Sequence, residues 1–113
     1  MKIKRGFLYL ADLNPRFGTE PGKSRPVIVI QTDLLNGVDH PSTWILPCTT
    51  HLTEENLLRV RLPQGCAGNE KECDVMVDQS RSIDNKRFQQ QLKRLPDILF
   101  EEIIEKLKQV GEL

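Results

Sequence analysis

No apolar run in this 113-residue chain approaches the ~20 residues needed to span a bilayer. The opening MKIKRGFLYLAD is basic and then apolar, like a secretory leader. Its apolar run is only strand-length and is cut by Asp12, so a leader is rejected. There is no G-x-x-x-x-G-K and no G-x-G-x-x-G, the loops that cradle nucleotide phosphates. H-E-x-x-H and G-x-S-x-G are absent too, which removes the zinc-protease and serine-hydrolase signatures. Cysteine is scarce: Cys48, Cys66 and Cys73 are the whole supply. Three thiols cannot all pair within one chain, which points to reduced thiols and a cytoplasmic setting. With no C-x-x-C, and with His40 and His51 off ligand spacing from any cysteine, no metal site and no cofactor are expected. A Cys48–His51 couple is disfavoured, because residues three apart on an extended segment face opposite ways.

The chain also lacks net charge, carrying 16 Lys or Arg against 16 Asp or Glu. That balance conceals an uneven distribution. Residues 1–31 hold six basic side chains against two acids, and residues 80–94 five against one. Residues 52–79 and 95–113 are each acidic, net −3. If folding joins the two basic segments, they form a face that attracts phosphate. The same charges also suit a merely solubilised surface.

The composition, 38% hydrophobic and 28% charged, fits one soluble globular domain. Residues 3–13 read as a strand stopped by Asn14-Pro15. Residues 14–25, rich in Gly and Pro, form a long loop, and long loops are more often functional or mobile. A second strand is predicted over 26–32, with Pro26 at its start, followed by a loop over 33–42. Further strands are predicted over 43–49, 57–62 and 73–79. Pro47 argues for an edge position or a bulge. Asp84 can cap a short helical turn through Phe88, with a short strand near Leu92. From Pro96, the residues Ile98, Leu99, Ile103, Leu107 and Val110 recur at helical spacing up to Gly111. The fold class is therefore α+β: a small, curved, barrel-like antiparallel sheet with a C-terminal helix over one face.

Polar residues gather at the ends of these strands. Arg25 stands where the first loop enters the second strand, and Thr49 and Thr50 end the third. Gln79 and Ser80 end the fifth, and Glu20 lies in the first loop. An arginine forks onto phosphate with two N–H bonds, and threonine adds a further donor. Such a group suits a phosphodiester whose developing charge needs preorganised donors. The competing view is that these are turn caps and surface ion pairs of little consequence.

At these residues the chain resembles the MazF/PemK-type toxins of bacterial toxin–antitoxin systems, the mRNA interferases. The resemblance is carried by RGFLYLADLNP at 5–15, GTEPGKSRPVIVI at 18–30, LPCTT at 46–50, VDQSRSID at 77–84 and ILFEEIIEKLKQ at 98–109. One departure is that Gly6 is followed by Phe7, where the family commonly has an acid.

The resemblance implies a single endoribonuclease domain over 1–113, built as a small SH3-like barrel of the CcdB/PemK type. It implies a homodimer in the cytoplasm, away from membranes, that cleaves single-stranded RNA without metal. The RNA's 2′-hydroxyl would attack the adjacent phosphorus and leave a 2′,3′-cyclic phosphate and a 5′-hydroxyl. A cognate antitoxin with a disordered acidic tail is the implied partner. The G-x-R-P arginine falls on Arg25 and the P-C-T threonine on Thr49, which become the expected catalytic pair. Glu20 is a candidate general base, with His51 as the other by its pKa. Phe17, Thr19, Lys23, Thr50, Gln79 and Ser80 are candidate RNA contacts, Phe17 by stacking a base. Gly18 and Gly22 are expected to let the first loop close over RNA. Two alternatives stand beside this reading: a gyrase poison of the same fold, similar to CcdB, and an RNA-binding module without chemistry.

Overall fold

A computed structural model of the chain describes residues 1–20, 22–55 and 57–113. Pro21, one of the prolines of the predicted first loop, lies outside the described residues. Among the described residues, seven strands and two helices run in the order β1 Phe7–Asp12, β2 Ser24–Val29, α1 Asp33–Asn36, β3 Ser42–Thr49, β4 Arg59–Leu62, β5 Cys73–Met76, β6 Arg81–Asp84, β7 Phe88–Arg94 and α2 Asp97–Gly111. Short 3-10 turns, Val77–Gln79 and Asn85–Arg87, flank β6.

All strand pairs are antiparallel, in the order β4-β5-β3-β2-β1-β7, with β6 also on β3. Since β6 pairs with β3 and β7 with β1, the sheet curls until the turn Asn85–Arg87 bridges its two ends. The result is the expected barrel-like α+β fold, with the ladder left open between β6 and β7. Strand alternation separates two cores. Tyr9, Ala11, Val27, Val29, Ile45 and Ile83 pack together on one face. Leu8, Ile28, Ile30, Leu46, Val60 and Val75 pack on the other, under Ile103 of α2.

Several predicted elements are corrected. β3 is no edge strand: it pairs with β2 on one side and with β6 and β5 on the other. Pro47 is tolerated there because β6 covers Ser42–Ile45 and β5 covers Cys48–Thr49, so the missing N–H falls between two partners. Pro26 is the third residue of β2 rather than its first, opposite Leu10. The segment read as loop over 33–42 contains α1, capped by Thr32 Oγ1 accepting from the Leu34 N–H at 3.2 Å. β6 was not expected, and β7 is longer than the short strand foreseen near Leu92. Asp84 does cap the turn after β6, its Oδ1 accepting from the Lys86 N–H at 2.8 Å. In α2 the packed stripe is Leu99, Phe100, Ile103, Ile104 and Leu107. Ile98 is 77% exposed and Val110 44%, since both lie off that stripe.

Cys48 and Cys73 are buried, Cys66 is half-buried, and all three are free thiols, as the odd count suggested. No helix is long and apolar enough to cross a membrane among the described residues.

Candidate functional site

Arg25 is the second residue of β2, opposite Ala11 of β1. Its guanidinium is half-buried and held by two main-chain carbonyls. Nε donates to Gly22 O at 2.7 Å and Nη1 to Cys48 O at 3.1 Å. A guanidinium has five N–H donors. Two are occupied here, and Nη2 has no hydrogen bond among the described residues. Burial lowers the Arg25 pKa from the usual arginine value, and Arg16 pushes the same way. The group still carries its charge at any ordinary pH.

Thr49 approaches Arg25 through sheet register. β2 and β3 pair Val27 with Pro47, so the same register continued by two residues sets Arg25 opposite Thr49. The bond from Arg25 to the carbonyl of Cys48 is consistent with that alignment. The Thr49 hydroxyl oxygen accepts the His51 N–H at 3.1 Å. Its own proton is therefore left to donate elsewhere. Thr50, exposed, lines a cavity of about 390 Å³ together with Arg25, Ser24, Asn69, Lys71 and Gln90.

Arg81 was overlooked in the sequence. It opens β6 opposite Ile45, two residues before Ile83. By strand parity its Cβ lies on the face of Val27, Ile45 and Ile83, which Arg25 and Thr49 share. Its Nη1 is buried without a hydrogen-bond partner among the described residues. Arg81 as a whole is half-buried, and a buried donor left open is costly unless something occupies it. The signal was absent from the sequence because β6 had to be known before a face could be assigned.

The first loop is fastened at its base and open at its tip. Asn14 Oδ1 accepts from the Lys23 N–H at 2.8 Å, and the Leu13 N–H donates to Lys23 O at 2.9 Å. Arg87 Nη1 donates to the carbonyls of Asp12 and Asn14. Gly22 is buried, and a Cβ there would come within 2.9 Å of Arg16 Cβ and Asn14 Oδ1. Gly22 is thus a close-packing position rather than the expected hinge. Near the tip, the Glu20 N–H donates to Phe17 O at 3.0 Å, closing a turn that leaves the Phe17 ring 71% exposed. Glu20 is half-buried, whereas Lys23 is exposed.

Thr19 and Gln79 line a second cavity, of about 330 Å³, with Thr53, Arg59, Met76 and Asp78. Ser80 is exposed just beyond. The predicted residues therefore fall into two neighbourhoods. Arg25, Thr49 and Thr50 meet at the shared end of β2 and β3, and Thr19 and Gln79 meet across the second cavity. Asn69, Lys71, Gln90 and Arg59 join the cavity walls from loops and strands that gave no site signal.

Comparison with known proteins bears on the family and the fold. Residues 4–111 match the family described as PemK-like, MazF-like toxin of type II toxin-antitoxin system. The chain is 32% identical over 109 residues to "Endoribonuclease EndoA" of Bacillus subtilis (strain 168), covering 96% of this chain and 93% of that one. It superposes on the crystal structure of MazF from Deinococcus radiodurans with a TM-score of 0.86 at 25% identity, covering 100% of this chain and 99% of that one. A MazE-MazF structure from the same organism gives a TM-score of 0.79, also at 25% identity, with 100% and 99% covered.

Proposed function

The chain belongs to the family of PemK-like, MazF-like toxins of type II toxin-antitoxin systems and is an endoribonuclease of that family; from this we propose that it cuts single-stranded RNA at defined sequences, through the RNA's own 2′-hydroxyl, without the ribosome and without a metal ion. Residues 1–113 act as one domain. The working unit is a homodimer in the cytoplasm, held in check by a cognate antitoxin, as the complexed MazE-MazF structure of a 25%-identical relative supports.

The observation that carries the mechanism is the bonding of Arg25. Two carbonyls fix its guanidinium, while Nη2 has no hydrogen bond among the described residues. A fixed cation with donors to spare suits a phosphoryl group that gains charge in the transition state. Thr49, its oxygen already engaged by the His51 N–H, donates its proton to the same phosphate. Arg81 lies on the same face but opposite Ile45, four residues along β3 from Thr49. Deprotonation of the 2′-hydroxyl needs a base, and a guanidinium keeps its proton. Glu20 is the proposed base, with His51 the other candidate. Phe17 stacks a splayed base, while Thr19, Lys23, Thr50, Gln79 and Ser80 contact the strand.

The test is to incubate the purified protein with a long single-stranded RNA in EDTA and map the 5′ ends. Discrete cuts bearing 5′-hydroxyls are expected, and Arg25→Ala should lower the rate by about 10²–10³-fold. Undiminished cutting by Arg25→Ala would overturn the assignment, as would cutting that needs added magnesium.

A further inference from the structure

Asp74 is a carboxylate in the middle of β5, a strand otherwise made of Cys73, Val75 and Met76. Its side chain is 1% exposed. It faces Thr49 of β3 on one side and Arg61 of β4 on the other. Oδ1 accepts from Arg61 Nε at 2.6 Å. Oδ2 accepts from the Thr53 N–H at 3.2 Å and from Arg59 Nη1 at 3.4 Å. The two arginines then reach the same segment as the carboxylate: Arg61 Nη2 donates to Thr53 O at 2.8 Å, and Arg59 Nη1 to His51 O at 3.3 Å. The chain just past Thr49 is therefore tied at both His51 and Thr53 to a cluster centred on Asp74.

Burial alone would raise the Asp74 pKa, but Arg61, the Thr53 N–H and Arg59 outweigh it and hold the pKa below the usual aspartate value. A buried ion pair of this kind is rarely the most stable choice, since an apolar residue of similar volume often serves as well. Its contribution here is geometric. The tether fixes His51, the His51 N–H occupies the Thr49 oxygen, and the hydroxyl proton is thereby left to point elsewhere.

We propose that Asp74 is a positioning residue for the RNA-cleaving site, acting through the His51–Thr53 segment to orient the Thr49 hydroxyl. The inference rests on the reading of Thr49 as a phosphate donor.

Steady-state cleavage of a short single-stranded RNA, carrying a cut site mapped for the wild type, tests both separately. Thr49→Val tests the underlying reading, and full activity in it would remove that reading whatever Asp74 does. With Thr49 intact, Asp74→Asn should lower kcat about tenfold and leave KM within about twofold, as expected for a misaligned transition-state contact. Val60→Ala, in the neighbouring strand, serves as a stability control that should leave kcat within about twofold of wild type. Arg61→Gln should show a smaller loss in the same direction and add nothing to Asp74→Asn in the double variant. Three results would overturn the proposal: wild-type kcat in Asp74→Asn, an equal kcat loss in Val60→Ala at matched melting temperature, or a change confined to KM. If Asp74→Asn does not fold, Arg61→Gln decides, and an unchanged kcat there overturns the proposal.

Discussion

Strands β2 and β3 carry polar residues at both ends, and the two ends are built differently. At the α1 end, Gln31 Nε2 donates to Asn36 Oδ1 and to Ser42 O, each at 3.0 Å, while Gln31 Oε1 accepts from the Trp44 N–H at 3.2 Å. Asn36 Nδ2 donates to Gln31 O and Asp33 Oδ1, again at 3.0 Å. Both amides are buried, and their donors are matched by protein acceptors. At the other end, Arg25 is only half-buried and its Nη2 has no hydrogen bond among the described residues. A closed network rigidifies a fold, whereas a donor left unmatched at a half-exposed site is free to bond water or a ligand. Polarity alone does not separate the two ends. Whether the donors are already matched does.

The comparison breaks first at Arg25, where the loss of about 10²–10³-fold already stated should come without loss of fold. A smaller loss is expected from Thr49→Val, which keeps the shape and removes the hydroxyl. One hydrogen bond to a charged phosphate contributes about 1.5–3 kcal/mol, so kcat should fall roughly 10–100-fold. A steady-state assay on the mapped RNA reads this. Wild-type kcat would mean that the open end works without the Thr49 hydroxyl.

Phe17→Ala should act more weakly and on a different constant. A base stacked on an aromatic ring contributes about 1–3 kcal/mol, so the expected result is a KM raised roughly tenfold with kcat retained. The ring is 71% exposed, so its removal should leave the melting temperature unchanged. An unchanged KM would leave Phe17 as exposed surface only.

How far the sequence disclosed these ends follows from how each signal is encoded. That Arg25 and Thr49 stand at strand ends was legible, because motif residues on adjacent segments named them before any register was known, and the register of β2 and β3 makes them neighbours. The predicted core strands and α2 were legible from periodicity, which local sequence carries directly. β6 was not: RSID is four residues long and lies between two 3-10 turns, too short for a period to emerge. Arg81 was lost with it. Asp74 was invisible as a site residue because an alternating CDVM strand predicts an outward acid, and only the fold shows β3 and β4 enclosing it. α1 was hidden because Asn36-Gly37 reads as a turn, while the side chains that satisfy Asn36 come from Gln31 and Asp33.

The smallest expected effect on cleavage belongs to the closed end, and it sharpens the comparison most. Gln31→Ala removes an amide that serves Asn36, Ser42 and Trp44 at once, leaving buried groups without partners. Stability should fall by about 1–3 kcal/mol, read as a lower melting temperature and urea midpoint. Assayed well below that melting temperature, kcat and KM on the mapped RNA should match the wild type. A change in kcat would couple the two ends through β2, and the division between a structural end and a working end would no longer hold. Unchanged kinetics with reduced stability would assign the Gln31–Asn36 network to the fold alone, because its donors are met within the protein and none remains for RNA.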